Sequence, residues 1–170
     1  MYRTLLALAI VVLSLGSVRA YAEAQPLLDF AENIASSADL KVFPIGEPNK
    51  VAGEHFTGAS FLAPMSLEQV GIFNVTFEPG SINEWHIHHA SKGGGQILIA
   101  VAGRGWYQEW GKPARVLTPG DTVNIPANVK HWHGAAKDSW FQHIAIEVPG
   151  EDTSTEWLGF LSPEEYAKLK

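Results

Sequence analysis

From about residue 54 the chain is a series of short apolar runs separated by glycine and proline. His55–Phe56–Thr57 leads on to Leu62, and Val70 to Phe77 forms a second run, stopped by the turn Glu78–Pro79–Gly80. Glu84 to His88 follows, then the flexible loop Gly93–Gly94–Gly95. Gln96 to Val101 is apolar enough for a buried strand. Gly103–Arg104–Gly105 turns the chain into Trp106 to Trp110, and Gly111–Lys112–Pro113 turns it again. Val116–Leu117, Thr122 to Ile125, Lys130 to Gly134 and Trp140 to Val148 complete the set, with Thr118–Pro119–Gly120–Asp121 and Pro126 between them. Short strands at regular spacing predict an all-β sandwich or barrel. Upstream, Leu27 to Ile34 predicts a short helix and Pro44 to Asn49 a loop. Downstream, Ser162–Pro163–Glu164–Glu165 carries a capping Ser, Pro at the first helical position and Glu two residues on, predicting a helix from 163 to about 169.

Composition narrows the chemistry. With 170 residues and one run of strands, a single core is expected. The net charge is −6 and the 12 Lys and Arg are scattered, which argues against a nucleic-acid surface. There is no cysteine, so disulfides, thiolate ligands and a Cys nucleophile are excluded, and a metal would need nitrogen and oxygen donors. The N-terminus reads as an export signal: Arg3, an apolar run from Leu5 to Leu15, then small residues at Ala20–Tyr21–Ala22 and Ala22–Glu23–Ala24. The expected organisation is a signal over 1–22, a lead-in over 23–50, a barrel over 51–150 and a tail over 151–170. The mature protein is expected in a periplasm or outside the cell, without a stable membrane anchor.

Of seven histidines, five lie in Trp85–His86–Ile87–His88–His89 and His131–Trp132–His133. Side chains alternate across a strand, so His86 and His88 share one face, as do His131 and His133. Neutral imidazole is a common ligand for transition metals, and two such pairs inside one barrel can close a metal site. His89 falls off that face and reads as a rim residue, and His55 as structural. Trp85, Trp106, Trp132 and Trp140 read as packing, and Lys92 as a solvated loop residue.

These residues also fall into two motifs. Gly80-x5-His86-x-His88, followed by Gln96 and Gly103, resembles the first cupin motif, and Gly120-x5-Pro126-x-Asn128-x2-His131 resembles the second, with Asn128 where Gly is usual. The resemblance implies a single cupin barrel, a jelly-roll or double-stranded β-helix, with the short C-terminal helix appended. Cupins usually place a Glu soon after the second His; here the candidate is Gln96, with seven residues between it and His88. That Gln, with Phe77–Glu78–Pro79–Gly80, His131 to Ala135 and His143 to Glu147, is similar to a branch of small cupins. The branch includes manganese-dependent bacterial hydroxynitrile lyases and carboxymuconolactone decarboxylase-associated cupins.

The resemblance implies His86, His88, Gln96 and His131 as ligands of one divalent transition metal per chain, Mn foremost, with Fe, Ni, Co or Zn also compatible. His133 and His143 are the candidate acid–base residues. A lyase acting on a small hydroxy or carbonyl compound leads. An Fe or Ni dioxygenase and a non-enzymatic small-ligand binder remain open. The expected partners are a small-molecule substrate and further copies of the chain, as a homodimer or homotetramer, with residues 54–62 as a candidate edge strand.

Overall fold

Alternation along Gln96 to Ala102 shows how the sheets form: Gln96, Leu98, Ala100 and Ala102 are buried, while Ile97, Ile99 and Val101 between them are only half-buried. The computed structural model describes residues 42–50 and 52–169. The expected export signal and the helix at Leu27 to Ile34 lie outside the described residues. Thirteen strands are present among the described residues. They are β1 (Glu47–Pro48), β2 (Ser60–Ser66), β3 (Ile72–Phe77), β4 (His86–His89), β5 (Lys92–Gly93), β6 (Gly95–Gly103) and β7 (Gly105–Glu109). There follow β8 (Arg115–Leu117), β9 (Thr122–Pro126), β10 (His131–Ala135), β11 (Phe141–Glu147), β12 (Gly150–Glu151) and β13 (Ser154–Trp157).

Six strands form one sheet in the order β1-β2-β3-β11-β6-β9, and five form a second in the order β13-β4-β10-β7-β8. Between them lies a core to which both contribute: Phe77, Leu98, Val123 and Phe141 from one sheet, Tyr107, Leu117 and Ala135 from the other. This is the all-β jelly-roll architecture of a cupin. A second cluster covers the opposite face of the five-stranded sheet, where Trp85, Trp106 and Trp132 pack against Leu161 and Tyr166. There Trp132 Nε1 donates to Gln108 Oε1 at 2.8 Å and the Tyr166 hydroxyl donates to the Ala135 carbonyl at 2.9 Å. The tryptophans at 85, 106 and 132 are therefore packing residues, as read.

Several boundaries differ from the expectation. The first long strand starts at Ser60, because Gly53–His55 turns as a 3-10 helix before it. It is also not a free edge at its start: Phe61 and Leu62 pair with Pro48 and Glu47, inside the segment read as a loop. That pairing ends before Pro64, whose missing N–H therefore breaks no ladder on that side. The C-terminal helix α1 is short, Pro163–Tyr166, with Ser162 Oγ accepting from the Glu165 N–H at 3.1 Å. The tail before it holds β13, which pairs Ser154 to Trp157 against His89 to His86.

Asn128 explains its departure from Gly. Its φ is +66°, a conformation few non-glycine residues accept. Its amide donates to the Ala90 carbonyl at 3.0 Å and accepts from the Ala90 N–H at 3.4 Å, while its own N–H reaches the His88 carbonyl at 2.9 Å. The side chain thus ties the loop after β4 to the turn before β10, which glycine could not do.

Candidate metal centre and substrate cavity

Strand β10 pairs with β4 so that His131 stands opposite His86. This brings the two histidine motifs onto one interior face. The ring centroids of His86 and His131 are 4.1 Å apart, those of His86 and His88 5.1 Å, and those of His88 and His131 5.6 Å. His86 Nδ1 donates to the Glu84 carbonyl at 2.9 Å, and His131 Nδ1 to the Val129 carbonyl at 2.9 Å. A carbonyl can only accept, so both rings carry their proton on Nδ1 and present Nε2 as a lone pair. His88 Nδ1 meets the Thr155 hydroxyl at 3.3 Å.

Buried polar atoms without a hydrogen bond are rare in folded proteins. Here three of them are His88 Nε2, His131 Nε2 and Gln96 Oε1. They are the atoms a metal would use, and all are neutral donors suited to a transition ion. The residues present therefore fit a metal. His86, His131 and His133 also form a triad whose ligand atoms lie within 4.8 Å of one another and could hold an ion.

His133 differs from the others in its hydrogen bonding. Its backbone N–H donates to Asn83 Oδ1 at 2.9 Å, which turns the Asn83 amide nitrogen toward the ring, 3.1 Å from His133 Nε2. The same amide nitrogen lies 3.4 Å from His133 Nδ1, and that Nδ1 lies 3.2 Å from His143 Nε2. His133 comes from one sheet and His143 from the other, so this contact spans the barrel. His143 is packed between Phe77 and Phe141, with centroids at 5.6 and 5.5 Å.

Burial keeps these rings uncharged. Desolvation lowers the pKa of His143 to about 4, only partly opposed by the backbone at Ile144. It lowers His131 to about 4 as well, against the pull of the Val129 carbonyl. His86 and His133 lie well below the ordinary range, first through burial and then through repulsion from His131 and His143 respectively. His88 is lowered by burial, with Gln96 beside it acting the other way. At neutral pH every ring is in the form that ligates metal or accepts a proton.

Three of the four expected ligands, His86, His88 and Gln96, and both acid–base candidates line one cavity of about 390 Å³, whereas His131 is fully buried and does not line it. Phe56, Leu62, Phe73, Val75 and Trp157 make up much of its wall. His89 is at the rim, bonded to Glu156 at 2.7 Å and Asn128 at 3.1 Å. His55 is structural: it bonds Glu84 at 3.3 Å and stacks on Trp157 at 4.3 Å. Lys92 is exposed and paired with Glu151. Sequence reasoning missed Asn83, Glu84 and Trp157. Trp157 lies 4.9 Å from the His86 ring and closes the cavity from the tail strand.

Comparison with known proteins agrees with this fold. The Cupin domain family matches residues 73–146. The chain is 38% identical over 95 residues to an (R)-mandelonitrile lyase from Granulicella tundricola, covering 56% of this chain and 70% of that protein. The chain belongs to the cupin family. A cupin-like protein from Thermotoga maritima has a crystal structure with 40% sequence identity and a TM-score of 0.65, over 75% of this cupin and 96% of that chain. A DMSP lyase from Ruegeria pomeroyi overlaps 84% of this cupin and 93% of its own chain at a TM-score of 0.55, but at 18% identity that likeness is one of fold alone.

Proposed function

We propose that this cupin is a metal-dependent lyase that cleaves a carbon–carbon bond beside a hydroxyl group in a small, largely apolar molecule, as in a cyanohydrin. His86, His88, Gln96 and His131 would hold one divalent transition metal, with Mn the first candidate. The observation that carries the reading is the set of uncommitted buried atoms, His88 Nε2, His131 Nε2 and Gln96 Oε1. His133 is set apart from the ligands because Asn83 and His143 already engage its two ring nitrogens. Kinship with a mandelonitrile lyase supports the reaction class.

When bound, the metal supplies Lewis-acid polarisation of a substrate oxygen, undiminished by any carboxylate ligand. The chain's own residues handle the proton. His133 Nε2 takes it from the substrate hydroxyl in place of the Asn83 amide. His143, whose Nε2 lies 3.2 Å from His133 Nδ1, stabilises the imidazolium. As the hydroxyl oxygen becomes a carbonyl, the carbon–carbon bond breaks and its electron pair leaves with the departing carbon. His133 then returns the proton to that group, so a cyanohydrin gives an aldehyde or ketone and hydrogen cyanide. The apolar wall of Phe56, Leu62 and Phe73 keeps water from competing.

The test has two readouts. Elemental analysis of purified His86→Ala and His131→Ala proteins should find the metal lost, and unchanged occupancy in both would refute the centre. Metal-loaded protein should release carbonyl product from cyanohydrins under anaerobic conditions, and an absolute requirement for oxygen would refute the lyase in favour of a dioxygenase. Export and self-association belong to the same proposal, to be tested by N-terminal sequencing and light scattering.

A further inference from the structure

A second cavity, of about 460 Å³ and here called the outer one, adjoins the inner, histidine-lined cavity. It is lined by Gln69, Gly71, His89, Thr153 and Ser154 among others. Two residues line both cavities: His88 and Glu147. Glu147 and the proposed ligand His88 thus stand at the throat where the two cavities meet.

The placement of Glu147 follows from the fold. It ends β11 and pairs across the ladder with Gln96, and its N–H donates to the Gly71 carbonyl at 2.8 Å. Its carboxylate lies over Gly71, where an added Cβ would stand 2.6 Å from Oε2. Glycine at 71 thus leaves the room the carboxylate uses. Among the described ion pairs none involves Glu147. The residues lining the two cavities include no lysine or arginine. Lys92, the cation of the neighbouring loop, is paired with Glu151. Glu156 and Asp152 add further acidic groups on the strand and turn flanking Thr153 to Thr155. Among the described residues that line the inner cavity, Glu147 carries the one carboxylate.

A single exposed charge facing a charged ligand changes its affinity by up to about fivefold. We propose that Glu147 is a specificity-determining residue whose carboxylate selects uncharged substrates over carboxylate-bearing ones at this throat. The proposal rests on the reading of the inner cavity as the substrate site. It divides that reading in two: neutral hydroxy and carbonyl compounds are admitted, whereas hydroxy and keto acids, the substrates of a decarboxylase, are disfavoured.

The test compares two probes of nearly equal shape and different charge, benzamide and benzoate. Their affinities are measured by calorimetry, with quenching of tryptophan fluorescence as a second readout, since Trp157 lines the cavity. Wild type, Glu147→Gln and Glu147→Lys are each examined with Mn²⁺ loaded and with the metal stripped. Glu147 is exposed, so both variants should fold, and thermal unfolding verifies that. Glu147→Gln should improve benzoate affinity relative to benzamide by about fivefold, Glu147→Lys should improve it further, and benzamide affinity should stay within about twofold. Added salt should narrow the difference between variants. A benzoate-to-benzamide ratio unchanged in both variants would overturn the proposal, as would failure of either probe to bind any of the proteins. The metal content of the same samples separates the two ideas. Metal retained with an unchanged ratio removes the gate and leaves the centre, whereas a shifted ratio in protein that binds no metal keeps the gate and removes the centre.

Discussion

Replacing His143 with Phe should flatten the acid side of this protein's stability curve. His143 is fully buried, and its pKa is lowered from the ordinary 6.5 to about 4 because burial disfavours the imidazolium. Between those two pH values the unfolded chain binds a proton that the folded chain does not. Stability therefore rises with pH across this window. The contribution of His143 is whole above pH about 6.5 and is lost progressively as pH falls to about 4. The gap of about 2.5 pH units, at about 1.36 kcal/mol each, is worth about 3 kcal/mol. Phe is the informative replacement because the His143 ring already packs against Phe77 and Phe141. It keeps an aromatic ring there and removes the titration. It removes the contact between His143 Nε2 and His133 Nδ1, which costs about 1–3 kcal/mol at every pH. It also relieves His133 of its neighbour's repulsion, which flattens the variant's curve further.

The measurement is urea unfolding of chelator-treated protein at intervals from pH about 7.5 to about 4, with equal m-values required. Chelation matters because a bound metal would hold His131 unprotonated and add its own pH dependence. Wild type should lose about 3 kcal/mol more than His143→Phe over that range. Parallel curves would refute the argument, and would mean that the barrel interior admits water enough to solvate the imidazolium.

The other predictions concern the remaining residues of the site and one turn. Gln96→Ala should lower metal retention by roughly tenfold or more on dialysis against chelator, whereas Gln96→Glu should retain the metal and weaken its Lewis acidity; equal retention in the Ala variant would show that Oε1 is not a donor. His133→Ala should keep its metal and lose about 10²- to 10⁴-fold in turnover, and loss of the metal instead would make His133 a ligand. Asn128→Gly should cost about 1 kcal/mol in urea unfolding through its lost bonds to Ala90. Asn128→Ala should cost about 1–3 kcal/mol more because its φ is +66°; an Ala variant as stable as the Gly variant would contradict this.

What could be read in the sequence was whatever a period of two encodes. His86 with His88, and His131 with His133, were assignable to one face before any partner strand was known. On β11 burial does not alternate, since Phe141 to Ala145 are all buried, and which of them faces the cavity was not legible. A period says which way a residue points; it does not say what stands opposite. Asn83 looks like a turn residue until the isolated bridge between Ile82 and Gly134 sets it beside His133. That bridge in turn needs Gly134, where a Cβ would meet Ile82 Cα at 2.5 Å. β13 was illegible for the same reason. Ser154–Thr155–Glu156 is polar, and its pairing with β4 joins segments far apart in the chain. Yet through that pairing Trp157 reaches His86 and Thr155 reaches His88. The proposed ligand positions on β4 and β10, and the carbonyls of Glu84 and Val129 that fix the His86 and His131 tautomers, follow from local sequence, whereas the groups that engage His133 and His88 and wall the cavity depend on long-range pairing. The ligand atoms could therefore be kept while the reaction changed, by altering residues such as Asn83, Glu147 and Trp157 that no short motif contains.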